Sequence, residues 1–178
     1  MSAFFSTKAI SSVAPSVYVS TYHKYACGNL DGEWVCLQDF DSYDDFISRC
    51  LAIHADEADP ELMFQDFEGF PEQWYSECSL DENHFNDIIA FADLADVYGS
   101  DTVTEFVNLG IDSLDRFTDY YYGKYSSELD FAYEVAEEYF DFDKFGQLAC
   151  YFDYEAFARD IFISDFRFSN GIVFRTCA

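Results

Sequence analysis

Thirty-five of the 178 residues are Asp or Glu and only three are His, so any chemistry in this chain is carboxylate chemistry first. Adjacent acids such as Asp44/Asp45 or Glu137/Glu138 could serve general acid–base hydrolysis. With so many carboxylates, however, such neighbours arise by chance and point to no glycoside hydrolase. Calcium is the next use to test. Asp141-Phe142-Asp143-Lys144-Phe145-Gly146 begins like an EF-hand loop, but Phe145 and Phe152 fall on ligand positions. Asp39-Phe40-Asp41-Ser42-Tyr43 fails likewise, with Asp44 at the glycine position and Cys50 at the twelfth. His23, His54 and His84 form no metal-ligand spacing with one another or with Cys27, Cys36, Cys50, Cys78, Cys150 and Cys177, and read as ordinary surface or half-buried residues. P-loop, dinucleotide, nucleophile-elbow and zincin motifs are absent from the sequence. The expectation is a protein without catalytic residues, metal or cofactor, whose acids act by binding.

The distribution of charge sharpens this. All 35 acids lie in 31–165, where Arg49, Arg116, Lys124, Lys144 and Arg159 are the only Lys or Arg; Lys8, Lys24, Arg167 and Arg175 flank that span and bring the net charge to −26. Between Cys50 and Asp115 there are 17 acids and no Lys or Arg. Ordinary surfaces mix both signs because a single-sign field repels itself. A disordered acidic tail lacks core-forming side chains, whereas 21% of this chain is aromatic, enough to build a core. A halophilic enzyme would share the acidity, but 21 Phe and no recognisable site speak against it. Direct nucleic-acid binding is disfavoured because phosphates need clustered Lys and Arg. Lys8 and several Ser and Thr interrupt the apolar pieces of residues 1–17, so neither a secretory nor a membrane-spanning segment is expected, and the chain reads as cytoplasmic with reduced, mostly buried thiols.

The elements that must position the acids follow from pattern. Residues 17–22 and 34–37 read as strands, 43–55 as a helix opened by a Ser42/Asp45 capping box, and 62–67 as a returning strand, together a ββαβ unit. Helical patterns then run over 81–98, where Phe85, Ile88, Ile89, Ala92 and Ala95 make an apolar stripe, and over 102–109 and 112–121. The clearest helix is 127–140. Ala132, Val135, Ala136 and Tyr139 form one face, while Asp130, Glu134, Glu137 and Glu138 occupy the other. Like charges at i, i+4 cost a few tenths of a kcal/mol per pair, so a row without Lys or Arg looks selected. A short helix at 153–160, then 161–163, precedes a hairpin in which Asn170-Gly171 supplies the positive-φ pair of a type I′ turn. No internal repeat of fixed period is present.

Duplex DNA carries a negative charge per ~1.7 Å of axis, so 35 carboxylates correspond to the phosphates of about 60 Å of duplex, some 17 or 18 base pairs. Aromatics interleaved with acids, as in Phe64-Gln65-Asp66-Phe67-Glu68-Gly69-Phe70 and Tyr151-Phe152-Asp153-Tyr154-Glu155-Ala156-Phe157, would anchor thin modules and hold carboxylates in place. The composition therefore reads as a DNA mimic that occupies a basic cleft and competes through steering and counterion release.

Four motifs add a resemblance. Tyr25-x-x-Gly28-x-Leu30-x-Gly32-x-Trp34, Phe64-Gln65-Asp66-Phe67-Glu68-Gly69, Tyr122-Gly123-Lys124-Tyr125-Ser126 continuing into Leu129-x-Phe131-Ala132-x-x-Val135-Ala136-Glu137-Glu138, and 151–160 occur in the order of the ArdA antirestriction proteins, which the chain resembles from about Val17 to Phe174. The resemblance implies an α+β protein, elongated and curved, built of three small domains that mimic bent B-form DNA. These would be 17–71 (ββαβ), 72–111 (helical) and 112–178 (α+β, dimerising), behind a loose extension at 1–16. It implies inhibition of Type I restriction-modification enzymes at the DNA site of their specificity and methyltransferase subunits, in protection of incoming mobile-element DNA. The family's antirestriction segment would fall near 132–148, although 137–150 is shorter than the family pattern and lacks its proline. Candidate phosphate-mimicking residues are Asp130, Glu134, Glu137, Glu138, Asp153, Glu155 and Asp160, extended by Asp112, Asp115 and Asp119. The rival readings are a DNA mimic aimed at a nucleoid protein, nuclease or polymerase, and a carboxylate hydrolase, which would need a pocket and a raised carboxyl pKa.

Overall fold

The computed structural model describes residues 13–110 and 113–177, so residues 1–12 of the expected extension and the candidate Asp112 lie outside the described residues. The class is α+β, with two small antiparallel sheets, and the chain divides into two compact units at Thr104/Glu105.

The first unit contains the ββαβ pattern. Strands β1 (Ser16–Thr21), β2 (Glu33–Cys36) and β3 (Leu62–Glu68) pair antiparallel in the order β2-β1-β3. Period-2 alternation sets the register: Val17 faces Val35 and Phe67 across the sheet, and Val17 and Val19 are buried. The outer positions Asp66 and Glu68 are exposed while Phe67 stacks on Tyr75 at 4.3 Å, which is the interleaving of acids with aromatic anchors expected of this segment. Gly69 has φ +82°, and a Cβ there would meet the Val13 carbonyl oxygen at 2.5 Å, so only glycine closes the turn against the incoming chain.

Residues 17–22 do not remain extended throughout. Thr21 leaves the strand as an N-cap, its side chain accepting from the Lys24 N–H, and α1 (Tyr22–Ala26) follows. The local capping bond outweighs the strand propensity of Tyr22. Helix α2 (Tyr43–Ile53) starts at the expected box, with Ser42 accepting from the Asp45 N–H and donating to its carboxylate. Phe46, fully buried, lies 6.2 Å from Phe64 and 5.5 Å from Phe85, so sheet, α2 and α3 (Glu82–Tyr98) share one aromatic core. Along α3, Phe85, Ile88, Ala92 and Ala95 are buried as the stripe requires. Helix α4 (Ser100–Asn108) crosses the unit boundary.

His54, expected at or near the surface, is 1% exposed. The Lys24 ammonium donates to its Nδ1 at 2.9 Å and also reaches Asp56 at 3.0 Å and Glu57 at 3.9 Å. Burial, and then the Lys24 charge, hold the His54 pKa below its ordinary value, against the smaller pull of Glu57 and Asp56. The unfolded chain therefore binds a proton more readily than the folded one. This contribution to stability is complete above about pH 6.5 and is lost as pH falls through the depressed folded value. The expected outcome is that wild-type protein loses more thermal stability than His54→Asn between pH 7.5 and pH 5.5, measured by unfolding scans of both.

In the second unit, β4 (Tyr121–Lys124), β5 (Phe166–Ser169) and β6 (Ile172–Arg175) form a sheet in the order β4-β6-β5. The hairpin between β5 and β6 turns at Asn170 (φ 49°) and Gly171 (φ 81°), as its dipeptide demands. The pattern at 112–121 resolves into a 3-10 turn at Leu114–Arg116 and the short α5 (Phe117–Tyr120) before β4 begins. Helix α6 (Glu128–Tyr139) packs with α8 (Tyr154–Ser164) around Phe131, Ala132, Val135, Ala158, Ile161, Phe166 and Val173. Residues 161–163, read as following a shorter helix, continue α8 because Ile161 is buried in this core. Between them, α7 (Phe142–Phe145) and the 3-10 turn Gly146–Tyr151 are held by packing among Phe140, Phe142, Phe145, Phe152 and Phe157.

All six cysteines are free, but only Cys50 is buried, where burial pushes its thiol up to about 12; Cys27, Cys78, Cys150 and Cys177 are exposed. The expectation of mostly buried thiols is corrected accordingly: these four lie on turns or chain ends rather than on core-facing positions.

Candidate functional site

Helix α6 carries the acidic row, and its local sequence explains why it forms. Ser127 caps it by accepting from the Asp130 N–H, and Glu128 and Asp130 sit in the first turn, where the helix dipole favours negative charge. Phe131, Ala132, Val135 and Ala136 are buried, while Asp130, Glu134, Glu137 and Glu138 are exposed. Tyr139, expected on the inner face, is 61% exposed because it ends the helix beyond the reach of the core.

The row is not loosely solvated. β4 and the turn after it run past α6 and set a hydroxyl against each carboxylate of the i, i+4 ladder. Tyr122 Oη donates to Glu138 at 2.9 Å, Tyr125 Oη donates to Glu134 at 3.0 Å, and Ser126 Oγ donates to Asp130. These bonds lie at the solvent-exposed surface, where each contributes about 1 kcal/mol or less, comparable to the few tenths that each like-charge pair costs, so the hydroxyls offset the repulsion within the row. Burial first, and then the Glu138 carboxylate, raise the Tyr122 hydroxyl to about 12; burial and Glu134 raise Tyr125 in the same direction. Both hydroxyls therefore remain protonated donors at neutral pH. Their linked stability is complete below about pH 10 and is lost as pH climbs through the folded values.

The other candidates take different positions. Asp153 caps α8, accepting from the Ala156 N–H at 2.9 Å. Glu155 and Asp160 are exposed on that helix. Tyr133 and Tyr154, 4.2 Å apart, bring the first turn of α8 beside the middle of α6. Asp115 is exposed on the 3-10 turn. Asp119 lies 3.6 Å from Arg116, an exposed pair of little energetic weight. Asp119 also lines an open depression of about 710 Å³ with Thr118, Tyr121, Tyr122 and Arg175, which places it near the Glu138 end of the row.

A second open depression, of about 550 Å³, adds two acids that the sequence reading left out. Asp141 and Asp143 line it with Glu137, Glu138 and the aromatics Tyr139, Phe140 and Phe142. Their Asp-x-Asp spacing, which fails as a calcium loop, and their place within 132–148 are the signals the sequence offers for them. Among the described residues no group of His, Cys, Asp and Glu is arranged to hold a metal ion, and no helix is long and apolar enough to cross a membrane.

Fold and surface together define an α+β protein that carries a hydroxyl-bonded carboxylate ladder on one helix. A model of the antirestriction protein (ArdA) family matches residues 17–174. The match covers most of the chain, which belongs to that family; membership supports an antirestriction function and implies interaction with restriction enzymes. A search of the curated proteins finds no match.

Proposed function

We propose that this protein is a non-catalytic DNA mimic that occupies the DNA-binding site of a Type I restriction-modification enzyme. The observation that carries this reading is the α6 ladder, three carboxylates at i, i+4 spacing, each fixed by a neighbouring hydroxyl. Successive rungs rise about 6 Å along the helix, four residues at about 1.5 Å each, and present negative charge in a regular line. A basic cleft evolved for phosphates would meet that line with Lys and Arg and release counterions from both surfaces. Asp115, Asp119, Asp153, Glu155 and Asp160 extend the charge over the same unit, and Asp112 belongs to the same proposal.

In the full reading, three small domains follow one another as an elongated imitation of bent duplex. The C-terminal one pairs with a second copy, and the protein works in the cytoplasm against the specificity and methyltransferase subunits on behalf of incoming mobile-element DNA. The test is displacement. Labelled target DNA is bound to a Type I specificity–methyltransferase complex, and the intact protein is titrated in at low salt. Stoichiometric loss of bound DNA is expected. DNA that stays bound at a several-fold excess of protein overturns the reading and turns attention to other DNA-binding partners.

A further inference from the structure

We propose that Tyr122 and Tyr125 are positioning residues for binding the partner, fixing the Glu138 and Glu134 carboxylates in the orientation that the partner's cations meet. The proposal rests on the DNA-mimic reading and goes beyond it by assigning a role to two aromatic residues that carry no charge themselves.

Three features set these tyrosines apart from ordinary core aromatics. Each ring is anchored on the same buried residue: Tyr122 and Tyr125 meet Phe131 edge-on at 5.0 and 4.9 Å, and Tyr122 packs on Phe166 at 5.6 Å. The backbone is shaped around them. The β4–β6 register shifts between Tyr121 and Gly123, so Tyr122 sits on an irregularity of the kind that re-aims a side chain, and a Cβ on Gly123 would come within 3.1 Å of the Tyr125 ring. Finally, both hydroxyls emerge at the solvent edge onto carboxylates rather than closing a bond inside the core.

A glutamate side chain otherwise samples many rotamers and must surrender them on binding. Holding one oxygen of each carboxylate in advance reduces that cost and leaves the other oxygen for a guanidinium or ammonium. Core packing alone would need only the rings, which phenylalanine supplies equally well.

The experiment compares intact wild type, Tyr122→Phe/Tyr125→Phe, Glu134→Gln/Glu138→Gln and the quadruple variant, each binding a Type I specificity–methyltransferase complex over a range of salt. Removing both hydroxyls should weaken binding about three- to tenfold while leaving the salt slope unchanged, because no charge is lost. On the Glu134→Gln/Glu138→Gln background the same change should add nothing. A loss in the Phe pair that persists undiminished on the Gln background overturns the proposal, since the hydroxyls would then act elsewhere. If the Gln pair weakens binding and the Phe pair does not, the tyrosines only pack; positioning is overturned and the mimic reading stands. If neither pair alters affinity, the ladder lies outside the binding surface and the reading of α6 falls with the proposal. Should the Phe pair unfold, alkaline absorbance titration of wild type and the Gln pair decides. The late-ionising tyrosines of wild type should titrate earlier in the Gln pair, and unchanged titration would show that no such bond holds the carboxylates.

Discussion

Neutralising the outward row of α6, as Asp130→Asn, Glu134→Gln, Glu137→Gln and Glu138→Gln together, is expected to weaken binding to a Type I enzyme by about 30- to 1000-fold at low salt. At about 0.5–1 kcal/mol for each exposed ion pair, four lost pairs amount to about 2–4 kcal/mol. The slope of log affinity against log salt should become shallower by up to about four, since each neutralised phosphate equivalent releases roughly one ion fewer. Single substitutions should cost only about two- to fivefold by the same reckoning, which makes the quadruple variant the informative one. Stability should change little. The variant relieves like-charge repulsion between Asp130, Glu134 and Glu138, but it weakens three hydroxyl–carboxylate bonds and the favourable charge near the helix N-terminus. Isothermal titration at two or three salt concentrations, with thermal unfolding alongside, separates the binding loss from any folding loss.

The second large effect is structural. Phe131→Ala should destabilise the second unit by about 3–5 kcal/mol, the range for truncating a fully buried phenylalanine. Phe131 is 0% exposed and touches Tyr122, Tyr125, Phe162 and Phe166 at ring distances of 4.7 to 5.4 Å, so the cavity opens where helix, sheet and the β4 turn meet. In a unit of this size that loss corresponds to a melting temperature lower by more than about 10 °C. Binding should fail with it, because the same ring supports both tyrosines beneath the ladder. Phe131→Leu, which retains most of the volume, should show a much smaller shift in calorimetry.

Much of this arrangement was legible from local pattern. Ser42 announced its helix because a capping hydroxyl acts within three residues, and Asn170-Gly171 announced its turn because few residues accept positive φ. The acidic face of 127–140 was readable as a face because helical periodicity is local too. What escaped was decided by tertiary contact. The burial of His54 follows from where Lys24 and the following acids fold over it. Helix α8 runs on through Ile161 because a core awaits it. The hydroxyls of Tyr122, Tyr125 and Ser126 were in plain sight within a family motif, yet their register against Asp130, Glu134 and Glu138 depends on a strand irregularity that no spacing rule expresses. The first and last elements of the ladder were thus visible separately, while the bonds joining them were not.

The most direct test of the central claim is cleavage protection. DNA carrying its target is exposed to a Type I restriction enzyme with increasing intact protein, at one low and one high salt concentration. The account predicts that roughly stoichiometric protein abolishes both DNA binding and cleavage at low salt, with protection receding as salt rises. Unchanged cleavage at low salt in the presence of excess protein would contradict it.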